Sequence, residues 1–133
     1  MDAQETLRPP LILIVEDSPT QAKAEAMFLT DIGFDVIVAS DGPDGLMAAA
    51  EYQPNVIILD VKLPTMSGFQ VVRRLKRHPQ TDHIPVIMLT KLDNTSDMTV
   101  GLNQGADYYI PKGERAAEEL KRTLSGFGLI AWH

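Results

Sequence analysis

Residues 11–20, Leu-Ile-Leu-Ile-Val-Glu-Asp-Ser-Pro-Thr (LILIVEDSPT), decide how this chain folds. Five apolar residues, Leu11 to Val15, form a run too short for a helix and without polar alternation, the pattern of a strand buried on both faces. The run ends in two adjacent acids, Glu16 and Asp17, which repel each other at the edge of a core and must stay solvated or paired. Immediately after them a helix begins. Ser18 suits the cap position, Pro19 the first helical residue, and Gln21 completes a capping box.

The same alternation continues outward. Further β-rich apolar runs occur at Phe34–Ala39, Asn55–Leu59, Ile84–Leu89 and Asp107–Ile110. Segments of helical period separate them. The first places Ala22, Ala26, Leu29 and Ile32 on one face and stops at Gly33. The second, Pro43–Tyr52, turns Leu46, Met47 and Ala50 inward. The third, Ser67–Arg77, buries Phe69, Val72 and Leu75 and ends in basic residues that suit a helix C-terminus. The fourth, Thr95–Gln104, offers Met98 and Leu102. The fifth, Glu114–Leu124, carries Ala117, Leu120 and Leu124 on one stripe. Strands alternating with helices predict βαβ units and a doubly wound α/β fold, a parallel sheet with helices on both faces. Residues 1–10 read as a loose N-terminal arm, residues 11–125 as the single domain, and residues 126–133 as a C-terminal tail that packs back or meets a partner.

Composition narrows the function. The 133 residues suffice for one core that buries about two-thirds of the unfolded surface. A net charge of −6 argues against direct nucleic-acid binding, which needs a basic surface. There are no cysteines, so disulfides, thiolate metal sites and thiol nucleophiles are excluded. The longest apolar run falls short of a membrane span and no basic leader precedes it, so a soluble cytoplasmic protein is the expectation. His78, His83 and His133 lack metal-ligand spacing. The basic run Arg73–Arg77 reads as a solvated helix face, with docking of a kinase as the alternative.

In a doubly wound fold, ligands bind at the carboxyl ends of the strands. Glu16 and Asp17 end the first strand, Asp60 the third and Thr90 the fourth, while Lys112 follows the fifth and Tyr109 lies three residues before it. Taken singly, each has an ordinary structural explanation. Together they bring three acids, a hydroxyl and a lysine to one rim. Such a rim repels phosphate and welcomes a hard divalent cation such as magnesium. With the cation in place, Asp60 could accept a phosphoryl group as a carboxylate nucleophile, with Lys112 and Thr90 taking the remaining charge.

The set "VEDSPT", "IILDVKLPTMSGFQ", "PVIMLT" and "GADYYIPK" resembles the receiver domain of two-component response regulators over about residues 10–125. The resemblance implies a flavodoxin-like five-stranded sheet of order 2-1-3-4-5. It implies phosphorylation of Asp60 by a histidine kinase or through a phosphotransfer protein. Magnesium, with manganese as a substitute, would be held directly by Asp17 and Asp60, through water by Glu16, and by the backbone carbonyl of Lys62. Thr90 would bond the phosphoryl group, Tyr109 would change rotamer in step, and Lys112 would pair with the phosphate. The output surface would be the fourth helix, fifth strand and fifth helix, presented to a downstream protein; pairing of two copies there is left open. With no effector domain following, the chain resembles the stand-alone type.

Several positions depart from the family pattern. Glu16 replaces the commoner aspartate, Gly113 stands where proline usually follows the lysine, and Lys91 follows Thr90 where a small residue is usual. Lys62 and Lys91 are expected at the pocket mouth, tuning the acyl phosphate, unless both point to solvent. Two other functions compete. One is a receiver-like scaffold independent of phosphorylation. The other is a dehalogenase-like aspartate phosphatase, which wants a second acid two residues after the nucleophile, where this chain has Lys62.

Overall fold

The computed structural model describes residues 9–91, 100 and 103–129. Five parallel strands, β1 (Leu11–Val15), β2 (Asp35–Ala39), β3 (Val56–Leu59), β4 (Val86–Thr90) and β5 (Tyr108–Pro111), lie in the order β2-β1-β3-β4-β5. Helices α1 (Pro19–Asp31), α2 (Gly42–Tyr52), α3 (Gly68–Arg77) and α4 (Ala116–Gly126) cover both faces. This is the doubly wound, flavodoxin-like arrangement. The fourth expected helix, Thr95–Gln104, and the expectations for Met98 and Leu102 lie largely outside the described residues.

Period-two alternation sorts each strand into two cores. Leu13, Val15, Ile57, Leu59, Val86, Met88 and Tyr109 face α2 and α3, where they meet Ala49, Val71, Val72 and Leu75. Ile12, Ile14, Val56, Ile58, Ile87, Leu89 and Ile110 face α1 and α4, against Leu29, Leu120 and Leu124. Side chains such as Leu13, Ile58 and Ile87 are fully buried, each contributing roughly 1.5–3 kcal/mol. The register pairs Val15 with both Ala39 and Leu59, Leu59 with Met88, and Thr90 with Pro111, so the strands deliver their following residues to one edge.

Some packing differs from expectation. On α2 the buried residues are Gly42, Gly45 and Ala49, with Gly42 against Val71 of α3 and Gly45 against Val15 of β1, and Met47 is 68% exposed. The helix lies so close to β1 that a Cβ on Gly45 would come within 2.9 Å of the Val15 side chain; Leu46 packs partly buried against the core as expected, while Met47 stands outside it. On α4, Ala116 rather than Ala117 joins Leu120 and Leu124 at the core. On α3, Val71 is buried and Phe69 only partly so. β4 begins at Val86 instead of Ile84, because Ile84 closes a turn through its N–H to Thr81 O at 3.1 Å and Pro85 has no N–H to give. No helix among the described residues is long and apolar enough to cross a membrane.

Candidate functional site

The sheet ladder itself carries the first two acids to the rim. Glu16 N–H donates to Ala39 O at 3.0 Å and Asp60 N–H to Val15 O at 3.1 Å, so both residues continue the strands they follow. Glu16 is thereby tucked in at 3% exposure, whereas the next residue, Asp17, turns outward. The chain then enters α1. Ser18 caps it by accepting from Gln21 N at 3.3 Å, but the expected capping box is incomplete. The Gln21 side chain turns to Lys112 instead, and Ser18 N–H donates to Glu16 Oε2 at 3.2 Å.

Asp60 is held from the other side. Its Oδ1 accepts from Lys62 N at 3.4 Å, and the loop folds back so that Gly68 N–H reaches Val61 O at 2.7 Å. At that return a Cβ on Gly68 would lie 2.0 Å from the Asp60 carbonyl oxygen, so only glycine permits the approach. Ser67 and Gln70 then form a complete capping box on α3.

Lys112, just past β5, brings its ammonium into the middle. Nζ lies 2.6 Å from Glu16 Oε1, 3.6 Å from Asp60 Oδ2 and 3.9 Å from Glu25 Oε1, and donates to Gln21 Oε1. Burial disfavours its charge, but the hydrogen bond to Glu16 and the charges of Asp60, Glu16 and Glu25 prevail and hold the amine above its ordinary range. It therefore stays a cation at any physiological pH. Glu16 is pushed upward, chiefly by burial and further by Asp60, with Lys112 and the Ser18 amide opposing. Removing one partner from so buried a pair costs roughly 3–5 kcal/mol, because the other charge is stranded.

Glu16, Asp17 and Asp60 each offer a carboxylate oxygen within 4.8 Å of the others'. An all-oxygen, anionic donor set fits a hard cation such as magnesium. The acids border a cleft of about 230 Å³ whose walls include Ser18, Lys62, Lys91 and Lys112. Lys62 and Lys91 are both exposed side chains on that wall. Tyr109 is buried at 9% exposure in the α2/α3 core. Thr90 closes β4 opposite Pro111, and its side chain lies outside the described residues. Gly113 has no atom within 4 Å of where a Cβ would stand, so nothing there demands glycine.

Sequence reasoning missed Glu25 and gave Gln21 a different partner. Burial, with Glu16 and Asp60 nearby, pushes the Glu25 carboxyl up to about 7 against the pull of Lys112. The signal was present: Gln21 and Glu25 are polar residues four apart on α1, adjoining the apolar stripe of Ala22, Ala26 and Leu29.

Comparison with known proteins gives a consistent picture. The family model for the response regulator receiver domain matches residues 12–125. The transcriptional regulatory protein AfsQ1 of Streptomyces coelicolor is 42% identical over 103 residues, 77% of this chain and 44% of that protein. Protein PilH of Pseudomonas aeruginosa is 39% identical over 101 residues, 76% of this chain and 84% of PilH. The chain spans less than half the length of the first curated relatives it matches. Among solved structures, the receiver domain of a Pseudomonas aeruginosa sensor histidine kinase superposes with a TM-score of 0.81 at 25% identity, covering 90% of this chain and 98% of that one. That structure has a magnesium ion coordinated in its active-site cleft.

Proposed function

The chain belongs to the response regulator receiver family, and on that premise we propose that it is a phosphorylation-dependent signalling switch with Asp60 as phosphoacceptor. The donor is a phosphohistidine of a sensor kinase or phosphotransfer protein. A carboxylate oxygen of Asp60 forms the new bond to phosphorus, the P–N bond to the donor imidazole breaks, and the imidazole nitrogen keeps the electron pair. The observation that carries this reading is the convergence on Asp60. The Lys112 ammonium lies 3.6 Å from its carboxylate, with Glu16 and Asp17 supplying further oxygens within 4.8 Å.

Asp17 and Asp60 would hold magnesium or manganese directly, Glu16 through water, and Lys62 through its backbone carbonyl. When bound, the cation offsets repulsion between the acceptor carboxylate and an anionic donor. Lys112 takes up the charge of the phosphoryl group after transfer, and the Thr90 hydroxyl hydrogen-bonds it. Tyr109, one strand over from Met88, reorients as Thr90 moves, and the surface built from the fourth expected helix, β5 and α4 changes for a protein partner. The reading is of a regulatory protein whose own chemistry is limited to self-phosphorylation from small donors and slow loss of phosphate.

The test is incubation with acetyl phosphate and magnesium, followed by intact mass. Gain of one phosphoryl group that Asp60→Asn abolishes is expected. Absence of uptake, with magnesium binding intact by calorimetry, would point instead to a phosphorylation-independent scaffold.

A further inference from the structure

Glu25 has no part in the phosphoacceptor chemistry, yet it touches the residue on which that chemistry depends. It stands one helical turn beyond Gln21, so both side chains rise from one face of α1 toward the strand ends. Its Oε1 lies 3.9 Å from Lys112 Nζ, and only 16% of its side chain is exposed. On its other side it borders a groove of about 340 Å³ between α1 and α4, walled by Phe28, Leu89, Ala116 and Leu120. Among the described residues, the charged groups acting on Glu25 are Lys112 after β5, Glu16 after β1 and Asp60 after β3; α4 presents only apolar side chains to the groove. Lys112 is thus the sole cation acting on it among the described residues. The anchor is also rigid, since α1 is pinned to the sheet through buried Ala22 and Leu29.

We infer that Glu25 is a positioning residue that holds the Lys112 ammonium on the α1 side of the cleft and competes for it with the phosphoryl group on Asp60. The inference rests on the phosphoacceptor reading above. An ammonium drawn toward a phosphorylated Asp60 weakens its contact with Glu25, so the acid opposes the phosphorylated form by whatever that contact contributes. With a carboxyl that titrates near 7, the opposition is present above neutrality and fades below it.

Two measurements test this. The first needs no phosphoryl group: the side-chain carbon signal of Lys112 next to Nζ, assigned with Lys112→Arg, is followed by NMR against pH. An inflection near pH 7 is expected in the parent protein and its loss in Glu25→Gln. The second is the affinity for beryllofluoride with magnesium, an acyl-phosphate mimic. Glu25→Gln should bind about two- to five-fold more tightly than the parent above pH 7, with the ratio approaching one at lower pH. Glu25→Asp, which keeps the charge on a shorter arm, should fall between them. A Lys112 signal without the inflection overturns the inference, as does an affinity ratio of one, or one that does not change with pH. Failure of the parent to bind beryllofluoride, with the Lys112 inflection still present, would instead overturn the phosphoacceptor reading.

Discussion

Substituting Gly68 with alanine sets two effects of opposite sign against each other. Gly68 is the first residue of α3, and on helix propensity alone alanine should stabilise by up to about 1 kcal/mol. Sterically, the added Cβ would meet the Asp60 carbonyl oxygen at 2.0 Å and Val61 Cα at 2.9 Å. The first of these must open by about an ångström, and both obstacles are backbone, so no side-chain rotation relieves them. Overpacking of this kind costs roughly 1–3 kcal/mol, so sterics should win. The displaced backbone is that of the proposed phosphoacceptor, and misplacing a reacting group by about 1 Å costs on the order of 10²-fold in rate. Gly68→Ala should therefore lose about 1–3 kcal/mol in urea unfolding and, still folded, take phosphate from acetyl phosphate about 100-fold more slowly. Gly113→Ala is the control: its Cβ would meet nothing within 4 Å, and it should stay within about 0.5 kcal/mol of the parent. A Gly68→Ala protein of parental stability and parental rate would refute the reasoning.

Further outcomes are open to measurement. Thr65 sits at φ +66°, where a β-branched residue is strained, so Thr65→Gly should raise the thermal midpoint by an amount equivalent to about 1 kcal/mol. The raised pKa of Glu25 means the fold prefers its protonated form. Its favourable contribution is complete below the unfolded value of 4.5 and is lost as pH rises through about 7. Glu25→Gln should accordingly be the more stable protein at pH 8, on the order of 1–3 kcal/mol by urea unfolding, and the difference should vanish toward pH 4.5. Lys62→Ala and Lys91→Ala should each change the lifetime of the acyl phosphate by about two- to five-fold, since both side chains wall the cleft. Parental lifetimes in both would leave the two lysines as ordinary surface residues.

The parallel sheet, and the arrival of Glu16, Asp17, Asp60 and Lys112 at one edge, were legible because buried parallel strands write unbroken apolar runs, and the residue after each run must emerge at the same end; the strand order itself came from the family resemblance. The misread positions share a different physics. Met47 was expected inside on helical period, but α2 meets β1 at Gly45 and α3 at Gly42, contacts made by absence of side chain that hydrophobic periodicity does not register. Ala116 and Ala117 are too alike for the pattern to choose between them. Gln21 satisfied a local capping rule, and only the distant Lys112, brought close by the parallel crossover, redirects it. Glu25 escaped notice for the same reason: its role is defined by a partner 87 positions later in the chain.

The amide of Asp60 is spent on Val15 O of β1, an inner strand of the sheet, whereas that of Glu16 is spent on Ala39 O at the end of the edge strand β2. The Asp60 amide cannot exchange with solvent deuterium by fraying of an edge strand; the inner ladder between β1 and β3 must part first. Its exchange should therefore report the free energy of global unfolding, while amides of the exposed turn at 113–115 exchange through small local openings. The proposed phosphoacceptor then belongs to the slowest-opening unit of the protein, and any ligand that stabilises the native fold protects its geometry to the same extent.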